Sequence, residues 1–121
     1  MSKTILTIDD SKAVREMVSF TLEPEGYNVV EAENGAEGLD QLRASKPDMV
    51  ITDLNMPVMN GLEFISNARG DAAGSGIPIV MLTTESAPEM KAKGKEAGAT
   101  GWINKPFDAD KLVAVTKKLL G

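Results

Sequence analysis

The 121-residue chain contains no cysteine and no histidine. The first absence excludes disulfides, thiolate nucleophiles and cysteine metal sites. The second removes the commonest general base and the imidazole ligands, so oxygen donors remain for any metal. Basic excess is also lacking. A net charge of −5 argues against a nucleic-acid surface, which needs positive charge to neutralise phosphates. No apolar run approaches the ~20 residues that a membrane span needs, and "MSKTILTIDD" lacks the long apolar stretch of a signal peptide. A bacterial-type cytoplasm is therefore the expected location. The length suits one domain over residues 1–121.

What is present alternates. Short apolar runs predict strands over Thr4–Ile8, Asn28–Glu31, Met49–Thr52, Ile77–Leu82 and Gly101–Ile103. Helix start signals lie between them. Ser11 precedes an apolar set of Val14, Met17, Val18, Thr21 and Leu22 at helical spacing. Asn34 with Glu37, Asn60 with Glu63 and Ser86 with Glu89 have capping-box spacing. Asp108 can cap a last helix whose inner face is Leu112, Val115 and Leu119. Pro24 should shorten or kink the first helix, and "GDAAGSG" at 70–76 reads as a mobile loop. Five strand–helix repeats predict an α/β fold: one doubly wound, parallel, five-stranded sheet with helices on both faces.

In such a sheet, ligands bind at the carboxyl ends of the strands near the switch in strand order. Asp9 and Asp10 end the first strand, and Asp53 ends the third. Thr83 and Thr84 end the fourth, and Lys105 follows the fifth. Three close carboxylates repel one another and, unless one is protonated, call for a cation. With only oxygen donors, a hard divalent ion such as Mg²⁺ fits. The cation and Lys105 would leave room for a phosphoryl group, with Asp53 as the candidate nucleophile and Thr83 as a hydrogen-bond donor.

Together, Asp9–Asp10, Asp53 followed by "LNMPVMNG", Thr83 after "IPIVML" and Lys105–Pro106 in "INKPF" resemble the receiver domain of two-component response regulators. The resemblance implies strand order 2-1-3-4-5 with five helices. It implies that Asp53 accepts a phosphoryl group from a kinase phosphohistidine or a small acyl phosphate. Asp10 and Asp53 would hold Mg²⁺ with the Asn55 backbone carbonyl, Asp9 helping through water. It further implies that Thr83 moves toward the phosphoryl group, that Trp102 changes its packing, and that the Lys105–Pro106 bond is cis. Such a protein catalyses only its own phosphorylation and dephosphorylation.

Asn55 and Glu85 match the single-domain chemotaxis regulators of the CheY type, and both modulate dephosphorylation there. The expected partners are a sensor histidine kinase and a downstream protein, such as the flagellar motor switch, bound through the 86–121 region. A monomer is expected, with no output domain after the fifth helix. Residues 86–121 carry seven Lys/Arg against four Asp/Glu, so an acidic target suits them. Two departures stand out. Trp102 replaces the usual Tyr or Phe, and branched Thr84 stands where a small residue is common and could narrow the path of water. The alternatives are a phosphorelay intermediate, a receiver excised from a larger regulator, and an aspartyl-phosphate phosphatase. The last would want an acid where Asn55 stands.

Overall fold

A computed structural model describes residues 2–120. In chain order these form β1 (Thr4–Ile8), α1 (Lys12–Leu22), β2 (Asn28–Ala32), α2 (Gly35–Ser45), β3 (Met49–Thr52) and α3 (Gly61–Arg69). They continue with β4 (Ile79–Thr83), α4 (Pro88–Ala97), β5 (Gly101–Asn104) and α5 (Ala109–Leu120). All strands are parallel, in the order β2-β1-β3-β4-β5. The expected α/β fold is the observed one.

Strand side chains alternate between faces, so neighbours in sequence feed opposite cores. Leu6, Ile8, Val50, Ile79 and Met81 pack in one cluster with Leu39, Phe64 and Ile65 from α2 and α3. Ile5, Met49, Ile51, Val80 and Leu82 pack in the other with Val18, Leu22 and Leu112 from α1 and α5. Both faces of β3 and β4 are thereby covered, which is why those strands read as unbroken apolar runs.

Several local expectations are corrected. β4 starts at Ile79 rather than Ile77. Pro78 has no N–H to give a ladder, and it serves only as an acceptor, from Val50 N–H. Ser86 does not cap α4. The cap is Ala87, without a side-chain cap bond, because Pro88 takes the first helical position and keeps the preceding residue extended. The inner face of α1 is Arg15, Val18, Ser19 and Leu22, while Met17 is 50% exposed. Residues 70–76 form hydrogen-bonded turns: Gly74 N–H donates to the Asp71 carbonyl, and Arg69 Nη1 donates to the Gly74 carbonyl. Other signals match. Ser11 and Asn34 cap α1 and α2, Asn60 and Glu63 form a full capping box, and the Asp108 carboxylate accepts from Asp110 and Lys111 N–H. The first helix stops at Leu22, and Pro24 lies in the 3₁₀ turn Glu23–Glu25 that follows.

Candidate functional site

The parallel sheet brings the carboxyl ends of β1 and β3 side by side, with Ile8 paired to Thr52. The next residues are therefore adjacent, and Asp53 N–H donates to the Ile8 carbonyl. Carboxylate oxygens of Asp9, Asp10 and Asp53 lie within 4.8 Å of one another. Lys105 reaches in from beyond β5. Its Nζ donates to Asp9 Oδ2 at 2.6 Å and to Asp53 Oδ2 at 3.0 Å.

The second carboxylate oxygens are held as well. Ser11 N–H donates to Asp9 Oδ1 and Leu54 N–H to Asp53 Oδ1. The turn after Asp53 returns at once, and Gly61 N–H donates to the Leu54 carbonyl. A Cβ at Gly61 would stand 2.2 Å from the Asp53 carbonyl, so only glycine allows that approach. Asp10, by contrast, is exposed, and no other described residue hydrogen-bonds its carboxylate.

Burial raises the Asp9 pKa from its ordinary value, and the nearby Asp53 charge adds to this against the lowering bonds from Lys105 and Ser11. Burial by itself would lower Lys105. Its hydrogen bonds to Asp9 and Asp53 outweigh that, and the ammonium is held above its ordinary value.

Three ionised carboxylates against one ammonium sum to −2. The donors are all hard oxygens. Ligand atoms within 4.8 Å of one another are close enough for the three carboxylates to hold one divalent cation. The residues present fit a divalent cation.

Thr83 is fully buried at the end of β4, and its carbonyl accepts from Lys105 N–H. Its Oγ1 accepts from Glu85 N–H at 3.2 Å. The Glu85 carbonyl accepts from Trp102 Nε1 at 3.0 Å, and Glu85 Oε1 accepts from Ala87 N–H. Glu85 thus links the end of β4 to the indole on β5. Trp102 is half-buried against α4, where a Cβ at Gly94 would meet the ring edge at 2.8 Å. Asn55 and Thr84 lie exposed on the rim. The Lys105–Pro106 peptide is cis.

Residues 5–117 match the response regulator receiver domain. The chain belongs to this family. The receiver domain is 38% identical over 120 residues to the phosphate regulon transcriptional regulatory protein PhoB of Klebsiella pneumoniae, covering 99% of this chain and 52% of that protein. It is 38% identical to the response regulator MprA of Mycobacterium tuberculosis, covering 99% of this chain and 51% of that protein. The chain thus spans about half the length of these curated relatives. Among solved structures, the Vibrio cholerae chemotaxis protein CheY4 superposes with a TM-score of 0.94 at 42% identity, covering 99% of this chain and 100% of that one. The receiver domain is a phosphorylation-activated switch of two-component signalling. Receiver domains are phosphorylated by histidine kinases, act on downstream targets, and use a divalent metal in phosphorylation.

Proposed function

We propose that Asp53 is the phosphoacceptor of a Mg²⁺-dependent switch of the chemotaxis type. The observation that carries the reading is Lys105 bridging Asp9 and Asp53 at the ends of β1 and β3. An Asp53 oxygen forms a bond to phosphorus while the donor's P–N bond (phosphohistidine) or P–O bond (acyl phosphate) breaks. Asp9, Asp10, Asp53 and the Asn55 carbonyl would hold Mg²⁺, which supplies positive charge for the phosphoryl oxygens. Lys105 gives up one of its two carboxylate contacts to a phosphoryl oxygen. Thr83 can turn its hydroxyl from Glu85 N–H toward another. Glu85 then loses one of its anchors, and Trp102 repacks. Apart from this self-modification, the domain performs no catalysis.

The output face is the groove of about 330 Å³ lined by Lys91, Lys95, Ala99, Thr100, Gly101 and Trp102. Its charge and indole floor suit an acidic, partly apolar segment of a target. The CheY4 likeness and the joint presence of Asn55 and Glu85 support a chemotaxis role; the proposed location is the cytoplasm and the proposed state a monomer. The likeness to the PhoB proteins supports a second reading, a receiver that controls transcription.

Incubation with Mg²⁺ and acetyl phosphate should add one base-labile phosphoryl group, and Asp53→Asn should abolish it. Labelling of that variant at another residue overturns the assignment. Deleting the gene should change swimming behaviour under the first reading. Changed transcription with normal swimming selects the second.

A further inference from the structure

Asp10 is the one carboxylate of the cluster with no hydrogen bond from another described residue, so its backbone must aim it. The carbonyl of the Asp9–Asp10 peptide accepts a hydrogen bond from Arg15 Nη1 at 2.6 Å. Arg15 stands in the first turn of α1, yet the residue is only 7% exposed. Its Nε donates to Glu31 Oε1 at 2.9 Å. Glu31 lies on β2, directly beside Thr7 of β1. The guanidinium is therefore a strut from the outer strand to the peptide that carries both acids. Burying a charge is costly unless it is paired and hydrogen-bonded. The Glu31 carboxylate supplies the pairing, and it also offsets the repulsion that Arg15 would exert on a cation in the cluster.

We infer that Arg15 is a positioning residue for the acid pair, fixing the Asp9–Asp10 peptide so that the Asp10 carboxylate faces the cation site. This rests on the reading of Asp9, Asp10 and Asp53 as a Mg²⁺ site. The sign of the effect separates positioning from charge. Removing a nearby positive charge would by itself strengthen cation binding. Weaker binding after loss of Arg15 therefore reports lost geometry.

The test is calorimetric titration of Mg²⁺ into the wild type, Arg15→Gln and Arg15→Lys, with thermal unfolding of each. Loss of a group that orients metal ligands typically weakens affinity by roughly tenfold or more. Arg15→Gln should bind Mg²⁺ about tenfold more weakly, and Arg15→Lys should fall between it and the wild type. Acetyl phosphate labelling of Arg15→Gln at saturating Mg²⁺ should return to within about twofold of wild type. A merely structural Arg15 would lower the melting temperature but leave the folded variant's Mg²⁺ affinity unchanged, and that result overturns the inference. If Arg15→Gln does not fold, Arg15→Lys decides, since it keeps the positive charge and loses the fork that spans Glu31 and the Asp9 carbonyl. Affinity should again fall, and unchanged affinity overturns the inference. A wild type that binds no Mg²⁺ at all refutes the site reading itself.

Discussion

The two halves of the sheet's carboxyl rim are held in different ways. At the ends of β1 and β3, bonds are dense. Asp9 and Asp53 each use both carboxylate oxygens, the Asp9 carbonyl is tied to Arg15, and the turn after Asp53 closes on Gly61. At the ends of β4 and β5, the start of α4 depends on the bonds of Glu85 to Thr83, Ala87 and Trp102. The helix has no side-chain cap, and its one buried residue is Gly94. A switch needs this asymmetry. Under the proposed function, the half that holds the acids must keep its geometry, and the half that responds must sit close in energy to an alternative.

The far end of α4 breaks the pattern, because it is firmly tied. Arg69 leaves the last turn of α3 and donates to the carbonyls of Gly74 and Ile77 through Nη1, and to Gly98 through Nε and Nη2. No carboxylate faces it within ion-pair distance among the described residues, and burial lowers its pKa from the ordinary value. Carbonyl dipoles take the place of a counter-ion, and the Gly98 oxygen lies at the C-terminal end of α4, where a cation is favoured. α4 is thus loose at its start and pinned at its end, so motion there should be a pivot rather than a shift. Arg69→Met should have the largest effect on stability, since hydrogen bonds from a charged donor contribute about 1.5–3 kcal/mol each. A loss of about 3 kcal/mol in urea unfolding is expected, with faster amide exchange at Gly98 and Ala99. A loss under about 1 kcal/mol would mean that water replaces the clamp and that both ends of α4 are loose.

Gly94→Ala sharpens the contrast from the other side. Alanine favours the helix by about 1 kcal/mol. Its Cβ, however, would stand 2.8 Å from Cζ3 of the indole, a rigid ring that can only move outward as a unit. The two effects nearly cancel, so stability should stay within about 1 kcal/mol. The indole should move toward water and loosen its bond to the Glu85 carbonyl. A red shift in emission is expected, easily read because Trp102 is the only tryptophan. Unchanged emission would show that α4, not the ring, gives way.

These contacts explain what was legible in the sequence. The alternation of apolar runs and helix caps is local, so the fold and strand order could be anticipated from it together with the family resemblance. The acids were placed because strand ends are easy to locate. Arg15 was missed because the apolar spacing put Met17 inside, and only the carbonyl of Asp9 and the carboxylate of Glu31 draw the guanidinium in. Gly94 read as a weak point in a helix. It is the space that a tryptophan eight residues on requires, which no pattern within α4 reveals. Arg69 carried no signal, since its partners, apart from a long bond to the Thr100 hydroxyl, are backbone carbonyls that every residue possesses.

The smallest effect lies in the rigid half. Val58 follows Pro57 in the turn after β3, with φ at 68°. Met59 N–H donates to the Pro57 carbonyl at 2.7 Å across it. A β-branched residue is strained there, at a cost of about 1–2 kcal/mol. The side chain is 82% exposed, so packing does not offset the strain. The turn persists because its flanks are fixed, by the Gly61–Leu54 bond and by Gly35 N–H donating to the Met59 carbonyl. Asparagine tolerates this backbone region far better. Val58→Asn should therefore stabilise the domain by about 1 kcal/mol in urea unfolding. If the flanking bonds alone set the geometry around Asp53, labelling by acetyl phosphate should keep its rate within about twofold. A large change in rate would show that the valine's strain is transmitted to the acid, and that the half described as rigid holds a soft element beside Asp53.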